Sequence, residues 1–193
     1  YCRLIEPTTQ QGKEEMFISG KNRYTAQQNS FSKIPGMPTA YWVSNAFISA
    51  FESDCLYSFA PTKQGIATAD NNRFLRFWFE VEIAHIAFGI RNHEESKLSE
   101  RKWYPYNKGG SFRKWFGNRD YVLNWFNDGS ELQKFEKSVI RNPSNYFLAG
   151  CTWSDIATSG FSARISDVGF INDSTGPMCF PDPDKLVYTL CLM

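Results

Sequence analysis

The chain has 193 residues, a formal net charge of +1 and 42% hydrophobic residues, and it contains seventeen Phe and six Trp. This length predicts one domain, or one domain with an appendage, and so many aromatic residues exclude a disordered chain. No apolar run approaches the roughly 20 residues that a membrane-spanning helix needs. We therefore expect a cytoplasmic protein with no membrane contact.

The cysteine and histidine residues argue against a disulfide framework and against a metal site. The five cysteines are odd in number, widely spread and include no Cys-x-x-Cys pair, which favours a reducing cytosol. Neither His85 nor His93 has a Cys or His at metal-ligand spacing. We expect His85, in an apolar run, to lie in the core or at a strand edge, and His93 to lie in a charged loop.

The beginning of the chain is polar and irregular. Residues 1–33 predict a linker or a strap over the domain surface, and residues 35–38 predict a rigid turn. Ser44 is expected to cap a helix that runs to about Glu52. The apolar face of that helix would contain Phe47, Ile48 and Phe51.

The middle of the chain alternates aromatic strands with short helices. Residues 71–81 are rich in aromatic residues and predict a buried strand, although two arginines interrupt it. Residues 121–125 predict a second strand, which ends at an Asn-Asp-Gly turn. Ser130 and Gln133 form a capping-box pattern for a helix that runs to about Ile140.

The last part of the chain predicts two short strands, at residues 161–165 and 168–171, and a terminal helix. Asp182 is the expected N-cap of that helix, and Pro183 suits its first turn. Because the helical pattern is still unbroken at Met193, we expect the chain to be a piece of a longer protein. Short strands mixed with a few modest helices and long loops predict the α+β class.

Residues 101–119 carry a local concentration of positive charge. They contain six Lys or Arg, no Asp or Glu and six aromatic residues, and Gly109 and Gly110 loosen the backbone between them. Cations attract phosphates, rings stack on unpaired bases, and glycine allows close backbone approach. The pattern favours a nucleic acid. On composition alone, a surface loop with buried rings and solvated charges stays open as well.

Catalytic patterns are weak throughout the chain. Residues 142–146 approach the Asn/Asp-Pro-Pro-aromatic motif of amino-group methyltransferases, but the second proline is missing and an extra residue intervenes, so we interpret them as a turn. Glu95 and Lys97 have the spacing of some metal-dependent nucleases, but they lie in a polar stretch and are interpreted as solvated charges. No Ser-His or Cys-His pattern supports a triad. We predict a binding module with no catalytic residue and no cofactor of its own.

Residues 65–81 carry a resemblance to a known family. They are similar to the pattern Gly-hydrophobic-x-Thr-Gly-Asp-Asn-x-Arg-Phe-x-Arg, and they depart from it at Ala69, where glycine is usual. If position 69 needs a positive φ, alanine there costs about 1 kcal/mol. Further similar blocks lie at residues 34–44, 102–118, 121–125, 128–129, 141–142, 146–147 and 150–154. Together they resemble the target recognition domain of adenine-specific DNA methyltransferases in bacterial phage-defence (BREX or phage-growth-limitation) systems.

The resemblance covers residues 34–193, which would form the recognition domain, and implies sequence-specific recognition of double-stranded DNA. It also implies that residues 1–33 are a linker or the end of an upstream catalytic region. The domain would present an adenine to an upstream catalytic domain of the same protein, which would hold the methyl donor S-adenosylmethionine. Other phage-defence subunits are further candidate partners. The candidates for contacts to the DNA backbone are Lys102, Lys108, Gly109, Gly110, Arg113, Lys114 and Arg119. The base-reading candidates are Thr68, Asn71, Asn72, Arg73, Arg76 and Asn107.

Other interpretations stay open at this point. The basic-aromatic surface could bind a partner subunit or an acidic phage inhibitor, because aromatic and Arg enrichment is also typical of protein interfaces. An RNA-binding domain is less favoured because no RNP-like motif occurs. Asn71 or Asn72 could simply hold the turn, and Arg73 could pair with Asp70. Four tryptophans are expected in the core rather than as stacking platforms, namely Trp78, Trp103, Trp115 and Trp153.

Overall fold

The computed structural model describes all 193 residues, which form two compact units, Tyr1–Cys55 and Leu56–Met193. Short strands and modest helices are mixed along the chain, so the α+β class predicted from the sequence is confirmed. No helix is long and apolar enough to cross a membrane.

The first unit is helical and has a small apolar core. Its two α-helices are α1 (Gln10–Ile18) and α2 (Asn45–Ala50). Helix α1 lies where the sequence predicted irregular structure, and it forms because the Thr9 hydroxyl accepts from the Gly12 amide and caps its first turn. The predicted cap of α2 is confirmed, since the Ser44 hydroxyl accepts from the Phe47 amide at 3.2 Å. Of the expected apolar face only Ile48 is buried.

The second unit contains the remaining helices and all the strands. Its helices are α3 (Leu56–Phe59), α4 (Asn71–Phe74), α5 (His93–Leu98), α6 (Phe126–Lys134) and α7 (Leu186–Leu192). Its strands are β1 (Thr62–Lys63), β2 (Leu75–Phe77), β3 (Trp103–Asn107), β4 (Tyr121–Asn124), β5 (Gly150–Trp153), β6 (Ala163–Ser166), β7 (Ile171–Asn172) and β8 (Met178–Cys179).

The strands form two four-stranded sheets. The strand order is β1-β8-β5-β6 in the first sheet and β2-β4-β3-β7 in the second. All neighbouring strands are antiparallel except β3 and β7, which are parallel. Because β7 and β8 are consecutive in the chain but belong to different sheets, residues 173–177 carry the backbone from one sheet to the other.

The main hydrophobic core contains one face of the second sheet. On that face Tyr104 of β3 lies opposite Leu123 of β4, and Leu123 lies opposite Leu75 of β2. The buried members of this core are Ile66, Phe74, Leu75, Ala87, Tyr104, Tyr106, Leu123, Trp125, Leu132, Tyr146, Phe147 and Ile171. The tryptophan in this core is Trp125, which is not one of the four tryptophans expected there.

Residues 71–81 do not form the single buried strand that the sequence predicted. Asp70 accepts from the Arg73 amide at 3.0 Å, which starts α4, and the Glu80 carboxylate accepts from the Phe77 amide at 2.7 Å, which ends β2 after three residues. A 3₁₀ turn, Trp78–Glu80, follows. As a result, an aromatic segment that resembles a core strand turns away from the core.

The Asn-Asp-Gly turn predicted after the second strand is present within α6. Asn127, Asp128 and Gly129 all have positive φ, at 49°, 53° and 76°. The helical residues that follow end at Lys134, well before the predicted Ile140. The Gln133 amide donates to the Asp128 carbonyl oxygen instead of closing a capping box.

Ala69, at the position where the family pattern usually has glycine, has a left-handed backbone conformation. Its φ is +58°, a conformation that disfavours residues with a Cβ by about 1–2 kcal/mol. The backbone therefore keeps the turn of the pattern although the usual glycine is missing.

Ala69→Gly is expected to raise the free energy of unfolding by about 0.5–1 kcal/mol. Glycine removes the strain of a side chain at positive φ, and this gain exceeds the cost of the greater conformational entropy of glycine in the unfolded chain. Urea unfolding should show a higher midpoint with an unchanged m-value. Ala67→Gly, two residues earlier and without a positive φ, is the matched control and should lower stability. Equal effects of the two substitutions would contradict this account.

Candidate nucleic-acid interface

Residues 108–120, here called the basic-aromatic loop, connect the end of β3 to the start of β4. The loop runs beside β6, where the Trp115 amide donates to the Ala163 carbonyl at 2.9 Å and the Ile165 amide donates to the Trp115 carbonyl at 3.0 Å. At its base the Gly110 amide donates to the Ser154 hydroxyl at 3.0 Å. The loop is therefore fixed to the first sheet at two points.

The glycine pair of the loop faces protein. A Cβ on Gly109 would overlap the carbonyl oxygen of Thr175, and a Cβ on Gly110 would crowd the Asn118 side chain. Glycine is needed at position 109 because the backbone of residues 173–177 passes directly against it. In this structure the pair anchors the loop; its expected contact with DNA stays a prediction.

The tip of the loop exposes rings and cations together. Phe112, Trp115 and Phe116 are 45%, 51% and 62% exposed. Arg113 and Lys114 lie exposed between them, with the Lys114 ammonium 5.8 Å from the Trp115 ring centroid. The expectation that Trp115 lies in the core was wrong, and the tip has the composition of a surface that stacks on bases and pairs with phosphates.

The other predicted backbone contacts lie in different settings. Arg119 donates to the Asp167 carboxylate at 2.7 Å and to the Ile165 carbonyl at 3.0 Å, and its guanidinium lies 4.1 Å from the centroid of the Phe116 ring. It braces the loop against β6. Lys102 is exposed, but it precedes β3 and thus lies at the opposite end of that strand from the loop.

A groove of about 330 Å³ lies where the loop meets β2 and β4. Its lining residues are Asn71, Asn72, Leu75, Arg76, Phe77, Glu80, Lys108 and Tyr121. Four of the predicted DNA-contacting residues, Asn71, Asn72, Arg76 and Lys108, are thus brought to one concave site. Glu80, which is not among the predicted DNA contacts, adds a carboxylate to the groove. Amides, a guanidinium, an ammonium and a carboxylate in one groove provide the mixed donors and acceptors that base edges require.

Local hydrogen bonds hold the groove side chains in place. The Asn71 side-chain oxygen accepts from the Thr68 hydroxyl at 2.7 Å, and Thr68 itself is buried. Arg76 donates to the carbonyl oxygens of Asn72 and Leu75, both at 2.6 Å. The Asn72 side chain is exposed.

Two of the base-reading candidates point away from the groove. The Asn107 amide is buried and donates to the Ser166 hydroxyl. The Arg73 guanidinium pairs with Glu131 at 2.9 Å, whereas the Arg73 backbone amide is the group that Asp70 binds. The alternative of an Arg73–Asp70 side-chain pair therefore does not occur.

An aromatic stack begins at the groove wall. Phe79 stacks on Phe77 at a centroid distance of 5.2 Å, and Phe77 stacks on Tyr121 at 4.8 Å. Phe77, Trp78 and Phe79 are 37%, 46% and 66% exposed, so Trp78 is a second tryptophan wrongly expected in the core. One signal in the sequence could have predicted this exposure. Glu80 directly follows the three rings, and its carboxylate can accept from the amide of Phe77 and so end the strand there.

The buried carboxylate of Asp173 joins the groove to the core. It accepts from the Tyr106 hydroxyl and the Thr175 hydroxyl, both at 2.7 Å, and from the Thr175 amide at 2.6 Å. The Lys108 ammonium lies 3.4 Å away. Burial, together with the charge of Asp173, raises the pKa of Tyr106 well above its ordinary value, so the phenol remains a donor.

The residues of the weak catalytic patterns and the two histidines lie in separate local settings. Glu95 is bound by the Arg91 amide and guanidinium, both at 2.9 Å, and this pairing lowers the pKa of Glu95. Residues 142–146 form a turn, as expected, with Asn142 in the left-handed region. His85 is exposed rather than in the core. His93 contacts Asp128 at 2.6 Å and the carbonyl oxygen of Pro143 at 2.9 Å.

Asp173→Asn is expected to lower the free energy of unfolding by about 2–4 kcal/mol, because the new amide donors face hydroxyl and amide donors in a buried site. As a comparison, Asp167→Asn removes an exposed carboxylate that pairs with Arg119. It should lower the free energy of unfolding by about 0–1 kcal/mol. Chemical denaturation of both variants measures the difference. Similar losses for the two would show that the Asp173 network contributes little.

The chain is similar to adenine-specific methyltransferases of two bacteria, and no protein-family model matches it. It is 36% identical over 207 residues to the adenine-specific methyltransferase PglX of Lacticaseibacillus casei (strain Zhang); the match covers all of this chain and 17% of the relative. It is 37% identical over 181 residues to the adenine-specific methyltransferase BrxX of Escherichia coli O9:H4 (strain HS), covering 93% of this chain and 14% of the relative. The chain thus spans about a sixth of the length of the relatives it matches and is homologous to one segment of these adenine-specific methyltransferases.

Proposed function

We propose that this chain recognises a short sequence in double-stranded DNA for an adenine-specific DNA methyltransferase that acts in phage defence. The observation that carries the proposal is the groove with mixed donors and acceptors, which adjoins an exposed loop of cations and rings. Homology to a segment of adenine-specific methyltransferases supplies the enzymatic context.

Two parts of the surface would contact different parts of the DNA, the loop tip its phosphates and the groove its bases. Arg113 and Lys114 at the loop tip would pair with phosphates and fix the position of the duplex, which carries no sequence information by itself. Asn72, Arg76 and Glu80 in the groove would contact base edges, since amide, guanidinium and carboxylate groups distinguish bases through paired hydrogen bonds. Lys108 lies on the groove wall at the start of the loop and so connects the two parts.

The exposed rings would support a distorted duplex. An enzyme that methylates adenine in duplex DNA has to move that base out of the stack, which leaves unstacked neighbours and a strained backbone. Rings such as Phe79, Trp115 and Phe116 provide apolar surfaces on which an unpaired base can stack.

In this proposal the methyl donor, S-adenosylmethionine, is bound by a part of the enzyme outside these 193 residues. The Gly109-Gly110 pair does not fit a nucleotide cradle, because the backbone of Thr175 already occupies the space beside Gly109. We therefore assign the chain no step of methyl transfer.

Duplex DNA is expected to bind the chain with a dissociation constant on the order of 10⁻⁴ to 10⁻⁶ M and with a strong salt dependence. Combining Arg113→Ala with Lys114→Ala should reduce the slope of log affinity against log salt concentration by about 2, since each lost phosphate contact removes about 0.9. Fluorescence anisotropy titrations at several salt concentrations measure both quantities. Lys134→Ala, which removes an exposed cation at the end of α6, is the control and should leave the slope unchanged. Undetectable binding at low salt would argue strongly against a DNA role.

Asn72→Ala should relax the preference at one position of the DNA site, with a loss of discrimination of about 1–3 kcal/mol. The substitution leaves the Asn72 carbonyl that accepts from Arg76, so the groove should keep its shape. Selection from a randomised duplex library, with the wild type and Lys114→Ala in parallel, measures the preference. Lys114→Ala should weaken all sequences alike, and the same uniform loss for Asn72→Ala would remove Asn72 from the base-reading set.

A protein partner is the second candidate, and a specific observation favours it. Ile83 and Phe88 are exposed apolar residues that follow the aromatic stack, on a segment without Lys or Arg. This part of the surface suits a partner subunit better than a polyanion. Phe88→Asp should weaken the binding of such a partner and leave duplex binding unchanged, which would distinguish the two uses.

A further inference from the structure

The arginine with the most unusual setting in the chain is Arg164 on β6. Its side chain is only 1% exposed, and two of its donor atoms, Nε and Nη2, have no hydrogen-bond partner. Its remaining nitrogen makes only long contacts, at 3.3 Å to the Ser162 carbonyl and 3.5 Å to the Arg113 carbonyl.

No carboxylate compensates the charge of Arg164. None of the ion pairs in the chain includes it, and burial lowers its pKa with no opposing contribution. An unpaired buried charge is strongly destabilising, and a nearby anion removes that destabilisation. The site is therefore preorganised for an anion that the chain itself does not supply.

The two unpartnered atoms form one edge of the guanidinium. In arginine the Nε–H and Nη2–H bonds point in the same direction, which makes the side-on fork that binds two oxygens of a phosphate or carboxylate at once. The unsatisfied donors are thus the pair that a tetrahedral oxyanion would occupy. The Ser162 hydroxyl lies at the other terminal nitrogen, where it accepts from Nη1 at 3.5 Å, so it leaves the fork unoccupied.

Arg164 lies beneath the tip of the basic-aromatic loop. Trp115 pairs with Arg164 in a backbone bridge, and the Arg113 carbonyl is one of the few groups that the guanidinium reaches. The loop segment that contacts Arg164 is therefore the segment that exposes Arg113 and Lys114. Two Trp115 backbone hydrogen bonds and the long Arg164–Arg113 contact attach this segment to β6, and Arg119 attaches the loop just beyond it. Gly110 and Gly117 flank the segment.

We propose that Arg164 is a phosphate-binding residue, which takes a phosphate diester of the DNA backbone in its Nε–Nη2 fork when the loop tip moves off β6. Arg113 and Lys114 would attract the phosphate to the tip, and Arg164 would bind it in a site from which water is largely excluded. The choice of DNA as the source of the phosphate rests on the proposed function. The anion site itself follows from Arg164 alone.

The first test uses inorganic phosphate as the probe and thermal unfolding as the readout. At constant ionic strength, replacing chloride by phosphate should raise the melting temperature of the wild type more than that of Arg164→Met, because the general stabilisation by an excluded salt is common to both. Without phosphate, Arg164→Met should be as stable as the wild type or more stable, because it removes an unpaired buried charge. Arg91→Met is the control variant, since Arg91 is exposed and paired with Glu95, and it should keep the phosphate response.

The second test repeats the DNA titration with the same variants. Loss of a bidentate, charge-assisted contact should weaken duplex binding about ten- to a hundredfold in Arg164→Met and little in Arg91→Met. Arg164→Lys keeps the charge but loses the fork, so it should fall between the wild type and Arg164→Met in both assays.

The outcomes separate the two hypotheses. A phosphate response that depends on Arg164, in a chain that does not bind DNA, would support the anion site and reject the proposed function. DNA binding that is equal in the wild type and Arg164→Met, with an unchanged phosphate response, would reject the anion site and leave the proposed function standing. Marked destabilisation of Arg164→Met without phosphate would also reject the anion site, because it would show that the guanidinium stabilises the fold by itself.

Discussion

The arrangement of the second unit depends on the buried carboxylate of Asp173. Its backbone amide donates to the Asn107 carbonyl at the end of β3, and its own carbonyl accepts from Gly65, which leads to the Thr68 turn and α4. Its side chain binds Tyr106 in the core and the turn between β7 and β8. One residue therefore ties together the two sheets, the start of the basic-aromatic loop and the segment that carries the groove asparagines.

Close backbone approach at this point explains three glycines that the sequence presents as unrelated. A Cβ on Gly65 would overlap the Asn172 carbonyl, a Cβ on Gly109 would overlap the Thr175 carbonyl, and a Cβ on Gly176 would crowd the Asn107 carbonyl. Two chain segments thus pass on either side of residues 172–176 with no room for side chains. At Gly109 the missing side chain lets another part of the same chain approach, and the predicted contact of this glycine with DNA stays a prediction.

Local signals in the sequence predicted local structure well and burial poorly. The Ser44 cap, strand β4, the turn at residues 127–129 and the α+β class follow from hydrogen-bonding propensity and turn chemistry, which a short window contains. The exposure of Phe77 to Phe79 could not be predicted, because a run of rings is compatible with either a core strand or an exposed stack. The exposed stack forms because the Glu80 carboxylate accepts from the Phe77 amide and ends the strand. Likewise, the sequence around Arg164 does not indicate that it is buried without a counter-ion, since part of its surroundings comes from residues 113 and 115.

The groove side chains also differ in how many contacts they make within the fold. Asn71 is engaged with Thr68, Glu80 ends β2, and Arg76 binds two backbone carbonyls, so changes at these positions alter the backbone that presents them. Asn72 contributes only its carbonyl to this network, and its exposed side chain can be replaced without loss of a fold-stabilising contact. If the groove reads bases, position 72 is where specificity can change at the least cost in stability, and the phosphate contacts of the loop tip would remain the same.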